Sequence, residues 1–342
     1  MRQAALTKPG ALELRDAEQP VAGPGQVLVR VRNVGVCGSD LHFFRGEFPV
    51  PPGFVLGHEC AGEVAALGDG VSGVEPGDRV ALELFDVCLR CVECRSGNYH
   101  LCPSRRANGL NIPGGLSEYI AVQSYALYTL PAEVDFELGA LCEPLAVAVH
   151  GLRLVDLRFG DRVAVLGSGT IGLMAIAAAK AMGSTYIGAT ARHRHQKEMA
   201  LTLGADEVFG DDGASIGQLA KATGGADVVV ETVGGHANTL ADALTVVGLG
   251  GRISVLGAFT QPVQIHPIMF FLKEPRVVGS NCYGRPGRRS DYEIALEIMR
   301  RNAESLRRCI THRFPLEEVA QAYATAGDKS SGAIKVQIVH GT

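Results

Sequence analysis

The sequence predicts an α/β protein of two domains, one rich in β-strands and one built on a doubly wound parallel sheet. Its 342 residues are 46% hydrophobic, which is enough apolar material for two separate cores. Up to about Pro131, turn dipeptides such as Pro24-Gly25 and Pro76-Gly77 separate short β-rich runs. From Leu141 onward, apolar strands alternate with Ala-rich helices, which is typical of a parallel sheet covered by helices.

Hydrophobic periodicity locates the individual elements. Val27, Val29 and Val31 recur at every second position and predict a half-buried strand. The second part predicts strands over 163–166, 186–189, 227–231 and 253–256, helices over 171–182 and 196–203, and then a charged helix over 291–302 and a last strand over 333–339. Periodicity alone leaves open which domain the tail after about Cys282 joins.

Charge and composition argue against several classes of partner. A formal net charge of −4 offers no concentrated basic surface, so we expect neither nucleic acid nor a membrane as partner. Residues 1–9 contain no apolar signal segment, and no stretch approaches the length that spans a bilayer. Nine cysteines without a secretory signal favour a reducing compartment, so we expect a soluble cytoplasmic protein.

Four cysteines in the first part are spaced like the ligands of a structural zinc ion. They are Cys88, Cys91, Cys94 and Cys102, with gaps of two, two and seven residues. Disulfides and ordinary buried thiols are the alternatives, but disulfides fit poorly with a reducing compartment, and the turn-rich loop lets the thiols converge. We predict a closed tetrahedral zinc site that stabilises a loop poor in apolar residues.

A second set of metal-binding residues has mixed chemistry and comprises Cys37, His58, Glu59 and Glu143. A four-thiolate site leaves zinc no free position, whereas a site of cysteine, histidine and carboxylate can exchange a ligand for substrate. The two sets together predict a zinc enzyme with a separate structural zinc ion.

A glycine-rich turn between a predicted strand and a predicted helix indicates a dinucleotide site. The turn has the pattern G-x-G-x-x-G and consists of Gly167, Ser168, Gly169, Thr170, Ile171 and Gly172. The glycines permit a tight turn, a close approach of backbone N–H groups to a pyrophosphate, and packing of the helix on the strand. The triplet alone is weak in a chain with 43 glycines, but the flanking strand and helix make it specific.

The end of the next predicted strand favours NADP over NAD. An acidic residue there would bind the free ribose 2′-hydroxyl of NAD and repel a 2′-phosphate. The strand instead runs into Thr190, Ala191 and Arg192, and a guanidinium binds phosphate through charge-assisted hydrogen bonds. We predict NADP, with Thr190 and Arg192 in the site. NAD stays open if these residues are only solvated surface.

The sequence around His58 resembles a family signature. Gly57-His58-Glu59 is followed by Gly62, Gly68 and Val71, a pattern similar to that of the zinc-dependent medium-chain alcohol dehydrogenases. The cysteine cluster and the glycine loop also resemble that family's, so the resemblance covers essentially the whole chain. It implies a GroES-like catalytic domain over 1–145, completed by 283–342, and a Rossmann dinucleotide-binding domain over 146–282, with the active site in the cleft.

The resemblance also implies zinc ligands. Cys37 and His58 match the first two ligands of the catalytic zinc ion. Glu143 stands where the classical members have a cysteine, and this departure resembles the polyol, threonine and glucose dehydrogenase branch. In that branch both Glu59 and Glu143 can bind zinc or hold its water. Cys142 remains a competing ligand.

Three residues beside Cys37 have implied catalytic roles. Asp40 resembles the carboxylate that orients the histidine ligand. Ser39 and His42 resemble the relay that carries the substrate proton to solvent by way of the nicotinamide ribose hydroxyl.

These parts imply reversible oxidation of a secondary alcohol to a ketone, with hydride transfer to NADP or NAD. A polyol, sugar, cyclitol or amino alcohol is expected rather than ethanol. The resemblance further implies a homodimer or homotetramer that pairs near Val277 to Ser280. A zinc-free quinone-reductase-like enzyme and a non-catalytic dinucleotide-binding protein remain as alternatives.

Overall fold

The computed structural model describes residues 1–341. The chain divides into two compact units, one formed by residues 1–143 with the described residues from 285 onward, and one formed by residues 144–284. Within residues 1–341 we find no helix with both the length and the apolar character needed to cross a membrane.

The first unit begins with a largely β-stranded segment. Its strands are β1 (Arg2–Lys8), β2 (Ala11–Asp16), β3 (Gln26–Gly35), β4 (Glu59–Leu67), β5 (Arg79–Leu82), β6 (Phe85–Asp86), β7 (Arg106–Ala107), β8 (Tyr119–Gln123) and β9 (Leu127–Thr129). Its helices are α1 (Gly38–Phe44), α2 (Val92–Arg95), α3 (Phe136–Ala140) and the start of α4 (Cys142–Leu154), with 3-10 turns at Tyr99–Leu101 and Ser124–Ala126.

The second unit alternates strands and helices. After α4 come β10 (Arg162–Leu166), α5 (Thr170–Ala181), β11 (Tyr186–Thr190), α6 (Arg194–Thr202), β12 (Glu207–Phe209), α7 (Gly213–Thr223), β13 (Ala226–Glu231), α8 (Thr239–Val246), β14 (Val247–Val255), α9 (Ile268–Lys273) and β15 (Arg276–Gly279). The strands form a parallel sheet of order β12-β11-β10-β13-β14-β15. The doubly wound sheet predicted from the alternation is thereby confirmed.

The tail lies in the first unit. It contains α10 (Asp291–Arg301), α11 (Ala303–Arg307), β16 (Ile310–Pro315), α12 (Val319–Gly327) and β17 (Lys335–Val339), with 3-10 turns at Leu316–Glu318 and Lys329–Ser331. β17 pairs with β3 antiparallel, with Gln337 opposite Gly35. The resulting sheet has the order β16-β17-β3-β4-β5-β9, and β8 also pairs with β3. This register brings the end of the chain beside the strand that precedes Cys37.

The central strand β3 shows the expected alternation. Val27, Val29 and Val31 are buried in the core of the first unit, while Arg30 is exposed. Leu28 is buried as well, because β3 is paired on both edges and covered on part of its second face. Because β3 is paired on both edges, it fixes the position of the residues that follow it, including Cys37.

Candidate active site and metal sites

The four predicted cysteines converge on one point. The Sγ atoms of Cys88, Cys91, Cys94 and Cys102 all lie within 4.8 Å of one another. Cys88 Sγ is 3.9 Å from Cys94 Sγ and 3.6 Å from Cys102 Sγ. Four sulfurs bound at about 2.3 Å to a tetrahedral zinc ion lie about 3.8 Å apart, so the arrangement fits a closed zinc site.

Local backbone geometry prepares these thiols for a metal. The short helix α2 begins at Cys91, whose Sγ accepts a hydrogen bond from the Cys94 N–H at 3.4 Å. The backbone N–H groups of Arg90 and Cys91 lower the pKa of Cys88 to about 6, which favours the thiolate.

Asp40 organises the second, mixed set. Cys37 directly precedes α1, and its backbone N–H donates to Oδ2 of Asp40 at 2.9 Å. Oδ1 of the same carboxylate lies 3.4 Å from Nδ1 of His58, and both side chains are buried. One carboxylate thus closes the first turn of α1 and places a negative charge beside Nδ1 of the imidazole.

The imidazole of His58 lies among three of the predicted residues. Its Nε2 is 3.3 Å from Oγ of Ser39. Burial lowers the pKa of His58, but the Asp40 carboxylate and the Cys37 sulfur raise it well above its ordinary value. The structure therefore brings Cys37, Ser39, Asp40 and His58 together.

Glu59 has a partner that the sequence analysis missed. Both of its carboxylate oxygens lie 2.7 Å from Nζ of Lys335, which also donates to the Val36 carbonyl at 3.1 Å. The two side chains are only 1% and 2% exposed. Burial lowers the pKa of Lys335, but the Glu59 carboxylate raises it above its ordinary value, which favours the charged ammonium in this buried pair.

Glu143 is a buried acid at the start of α4. Burial raises the pKa of Glu143 to about 8, although the nearby His58 acts in the opposite direction. A bound cation would favour the ionised carboxylate, so Glu143 fits a metal site. Cys142, the competing ligand, is engaged elsewhere: its Sγ donates to the Tyr292 carbonyl at 3.9 Å, and burial raises the pKa of this thiol well above its usual range.

The mixed set is less tightly gathered than the cysteines. Within residues 1–341, the four cysteines are the one group of three or more Cys, His, Asp or Glu ligand atoms that lie within 4.8 Å of one another. In the mixed set, Cys37 and His58 are neighbours. Burial raises the pKa of Glu143, and the charge of His58 opposes this rise. Glu59 is bound to Lys335.

The predicted relay residues lie on the same helix. Ser39 is in the first turn of α1, next to His58, and His42 is in its last turn. Nδ1 of His42 is hydrogen-bonded to Oε2 of Glu47, and its ring packs against Phe48 with centroids 5.1 Å apart. His42 is partly exposed, and its relay role stays a prediction.

The glycine loop lies between β10 and α5. Gly167 has φ +95°, and a Cβ on Gly172 would lie 1.9 Å from the Gly167 carbonyl oxygen, so neither position accepts a larger residue. Oγ1 of Thr190 accepts from the Gly167 N–H, and Oγ of Ser168 donates to the Thr190 carbonyl, both at 2.8 Å. These bonds tie the loop to the end of β11.

Arg192 is paired with an acid that the sequence analysis also missed. Its Nε and Nη2 lie 2.8 and 2.6 Å from Oδ2 of Asp211, which follows β12. Residue spacing could not reveal this pair, because it depends on β11 and β12 lying side by side.

Comparisons with known proteins agree with this arrangement. Residues 23–132 match the profile of the alcohol dehydrogenase GroES-like domain, and residues 170–301 match that of the zinc-binding dehydrogenases. A sorbitol dehydrogenase of Halalkalibacterium halodurans is 34% identical, with 96% of this chain and 95% of the relative covered. An L-threonine 3-dehydrogenase of Symbiobacterium thermophilum is 33% identical, with 95% and 94% covered.

Solved structures have the same fold. A zinc-binding dehydrogenase of Sinorhizobium meliloti bound to NADP is 31% identical, has a TM-score of 0.89, and is matched over 99% of this chain and 98% of its own. Galactitol-1-phosphate dehydrogenase of Escherichia coli is 28% identical, with a TM-score of 0.92 and coverage of 99% and 100%.

The chain belongs to the zinc-dependent medium-chain alcohol dehydrogenase family. Within the family it belongs to the branch of polyol and threonine dehydrogenases, as the sequence resemblance implied. It is an NAD(P)-dependent oxidoreductase that acts on alcohol groups.

Proposed function

We propose that this protein reversibly oxidises a secondary alcohol of a polyol, sugar, cyclitol or amino alcohol to a ketone. The observation that carries the proposal is the His58 imidazole, held by Asp40 at Nδ1 with Cys37 and Ser39 beside it. Relatives named for sorbitol, D-xylulose and L-threonine support this substrate class over ethanol.

We propose two zinc sites in each chain. The four cysteines form the closed, structural one. Cys37, His58 and Glu143 are the direct ligands of the catalytic one, and Glu59, neutralised by Lys335, supports it without being a permanent ligand. Zinc bound there would act as a Lewis acid that lowers the pKa of the substrate hydroxyl.

The remaining chemistry belongs to the side chains of the chain itself. Asp40 keeps the proton of His58 on Nδ1, so that the Nε2 lone pair is available for a metal. Ser39 would accept the proton that leaves the substrate hydroxyl, and His42 in the last turn of the same helix would release it to solvent. A bound nicotinamide cofactor would supply the ribose hydroxyl between them. Glu47, hydrogen-bonded to Nδ1 of His42, would fix the orientation of the ring.

We propose NADP as the preferred cofactor, bound by residues 167–172 and at the end of β11. Thr190 uses its hydroxyl to hold the glycine loop, and β11 runs into Ala191 and Arg192 rather than into an acidic residue that would select the free 2′-hydroxyl of NAD. Arg192 then supplies the positive charge for a 2′-phosphate. Residues 1–145 with 283–342 would form the catalytic domain and 146–282 the cofactor domain.

We further propose that the protein is a homodimer or homotetramer that pairs through β15. This strand is the edge of the parallel sheet, and Val277 on it is exposed. The preceding helix α9 exposes Ile268, Phe271 and Leu272, with Phe271 78% exposed. An unprotected apolar edge of this kind is suited to pairing with the same edge of a second copy. Light scattering of the purified protein tests the assembly, and a monomer would reject it.

We place the enzyme in the cytoplasm. All nine cysteines are free thiols in the structure, and a chain that needs five of them reduced as proposed zinc ligands suits a reducing compartment.

The central test is an assay at 340 nm of polyols, sugars and amino alcohols with NADP and NAD in parallel, together with zinc analysis by emission spectroscopy. We expect turnover of at least one secondary alcohol, a preference for NADP, and two zinc ions per chain. Arg192→Asp should shift the preference toward NAD, and an unchanged ratio would reject the 2′-phosphate site. A protein without zinc that still turns over would instead be of the quinone-reductase type, and cofactor binding without turnover would indicate a non-catalytic protein.

A further inference from the structure

Arg192 forms an ion pair with a carboxylate at the position where the 2′-phosphate of the cofactor is expected. Two guanidinium nitrogens of Arg192 contact the same oxygen of Asp211, at 2.8 and 2.6 Å. The Arg192 side chain is otherwise open to solvent, and Asp211 is itself partly exposed. A ligand from solvent can therefore reach both members of the pair.

Sheet register, rather than chance contact, brings the two residues together. In the parallel pairing of β11 with β12, Thr190 lies opposite Phe209. The Ala191 N–H then donates to the Phe209 carbonyl at 2.9 Å, which joins the strand ends one residue further on. Arg192 and Asp211 each follow two residues after a strand end, so the pair belongs to the rim where dinucleotides bind.

The other nearby arginine has a separate partner. Arg194 bonds Glu198 one turn further along α6, at 2.7 Å, and its side chain is 92% exposed. This pair lies on the helix surface and does not bridge two strand ends. It is a matched reference for the first pair, since both join an arginine Nε to a carboxylate oxygen at nearly the same distance.

The surroundings of Asp211 are acidic. Asp212 uses Oδ1 to accept from the N–H groups of Ala214 and Ser215 at the start of α7. Burial, and after it the carboxylate of Asp211, raises the pKa of Asp242. A doubly charged phosphate placed on Arg192 would therefore meet a negative charge in Asp211 that the guanidinium now neutralises.

We propose that Asp211 is a specificity-determining residue that competes with the 2′-phosphate of NADP for Arg192, and so reduces the preference for NADP over NAD. The proposal rests on the proposed use of NADP. NAD has no group at this position that must displace Asp211, so its affinity is independent of the pair. The phosphate must replace Asp211 on the guanidinium and then tolerate its charge nearby.

The test is the binding affinity of NADP and of NAD, measured by nucleotide fluorescence or calorimetry without substrate, for Asp211→Asn. Asparagine keeps an acceptor for the Arg192 guanidinium and removes the charge. We expect the dissociation constant of NADP to fall about tenfold, as the loss of like-charge repulsion at a few ångströms predicts, with NAD unchanged. Glu198→Gln, which neutralises the partner of Arg194, should change neither constant.

An Arg192→Ala variant distinguishes this proposal from the proposed 2′-phosphate site at Arg192, on which it rests. If Arg192→Ala weakens NADP binding but Asp211→Asn leaves it unchanged or weakens it, Asp211 does not compete and the inference is overturned alone. If Arg192→Ala leaves NADP binding unchanged, the 2′-phosphate site is wrong and both proposals fall.

Discussion

The two candidate metal sites of the first unit differ in how far apart their ligands lie in the sequence. All four cysteines of the first come from residues 88–102 and are gathered by one loop and one short helix. The second combines a residue just before α1, one just before β4 and one at the start of α4, and Glu59 beside them is paired with a lysine from the last strand. The first is a local structure, and the second exists only because the sheet is complete.

This difference separates stability from chemistry. A closed set of four thiolates has no free position and holds a loop with few apolar residues. The mixed set includes a buried ion pair, a buried acid and an oriented imidazole, each of which requires the surrounding fold to compensate its burial. Loss of the metal from the second site should therefore remove activity, and changes to the buried charges around it should also lower stability, while loss of the metal from the first site should act through folding.

Removing a ligand of the mixed site should have the largest effect. Cys37→Ala is expected to lower turnover on the order of a thousandfold or more and to remove one of two zinc ions, because the exchangeable metal loses its sulfur ligand. Cys309→Ala removes a buried thiol of no proposed function and should keep both zinc ions, with at most a modest loss of stability. Full turnover in Cys37→Ala would contradict the assignment.

Breaking the buried ion pair should come next. Lys335→Met leaves the Glu59 carboxylate buried without a partner, which is expected to lower the free energy of unfolding by about 3 to 5 kcal/mol in urea denaturation. Adding Glu59→Gln in the same chain removes the stranded charge and should restore part of the loss. If Lys335→Met alone were as stable as the wild type, the ion pair would contribute nothing to the stability of the fold.

A smaller effect is expected from the buried acid Glu83, which should make the free energy of unfolding depend on pH. Glu83, directly after β5, is buried with Oε2 accepting from the Tyr128 hydroxyl at 3.1 Å, and burial raises its pKa to about 7. The folded state therefore binds this proton more tightly than the unfolded state, and stability falls as the pH rises from about 4.5 to 7. Relative to Glu83→Gln, the wild type should lose about 3 kcal/mol over this range.

An exposed glutamate provides the control for Glu83. Glu304→Gln changes an exposed carboxylate of α11 and should leave the pH dependence of unfolding as in the wild type. Parallel stability curves for the wild type and Glu83→Gln between pH 4.5 and 7 would rule out a raised pKa at Glu83.

The smallest expected effect concerns orientation of a ligand. Asp40→Asn keeps an acceptor for the Cys37 N–H but removes the charge that orients His58, and is expected to weaken the exchangeable zinc ion about tenfold to a hundredfold. Competition with a chromophoric chelator measures this affinity. Asp135→Asn alters another helix-capping aspartate, at α3, and should leave it unchanged. If Asp40→Asn and Asp135→Asn bound zinc with equal affinity, Asp40 would not orient His58 for zinc binding.

The contrast between the sites also explains how much the sequence could predict. The cysteine spacing contains the whole of the first site, and the apolar strand before Gly167 placed the glycine loop between β10 and α5. The helix predicted over 171–182 lies at Thr170–Ala181, because a sustained apolar period with a glycine turn at its start fixes a helix well. Local patterns therefore suffice where the structure is local.

Lys335 and Asp211 could not be predicted for a physical reason. Lys335 stands in a strand that periodicity identified, but its partner Glu59 is 276 residues away and is set by the place of β17 beside β3. Asp211 reaches Arg192 only through the pairing of β11 with β12. Both partners follow from strand order, and the strand order is not contained in the period of any single segment.

The most direct test of the account is a timed removal of zinc from the purified protein with a chelator, with zinc content, turnover and melting temperature followed on the same sample. We expect two zinc ions per chain at the start. The first should leave together with activity while most of the thermal stability remains, and the second should leave only with loss of the fold. A single zinc ion, or turnover that survives departure of the first ion, would contradict the division into an exchangeable catalytic site and a closed structural one.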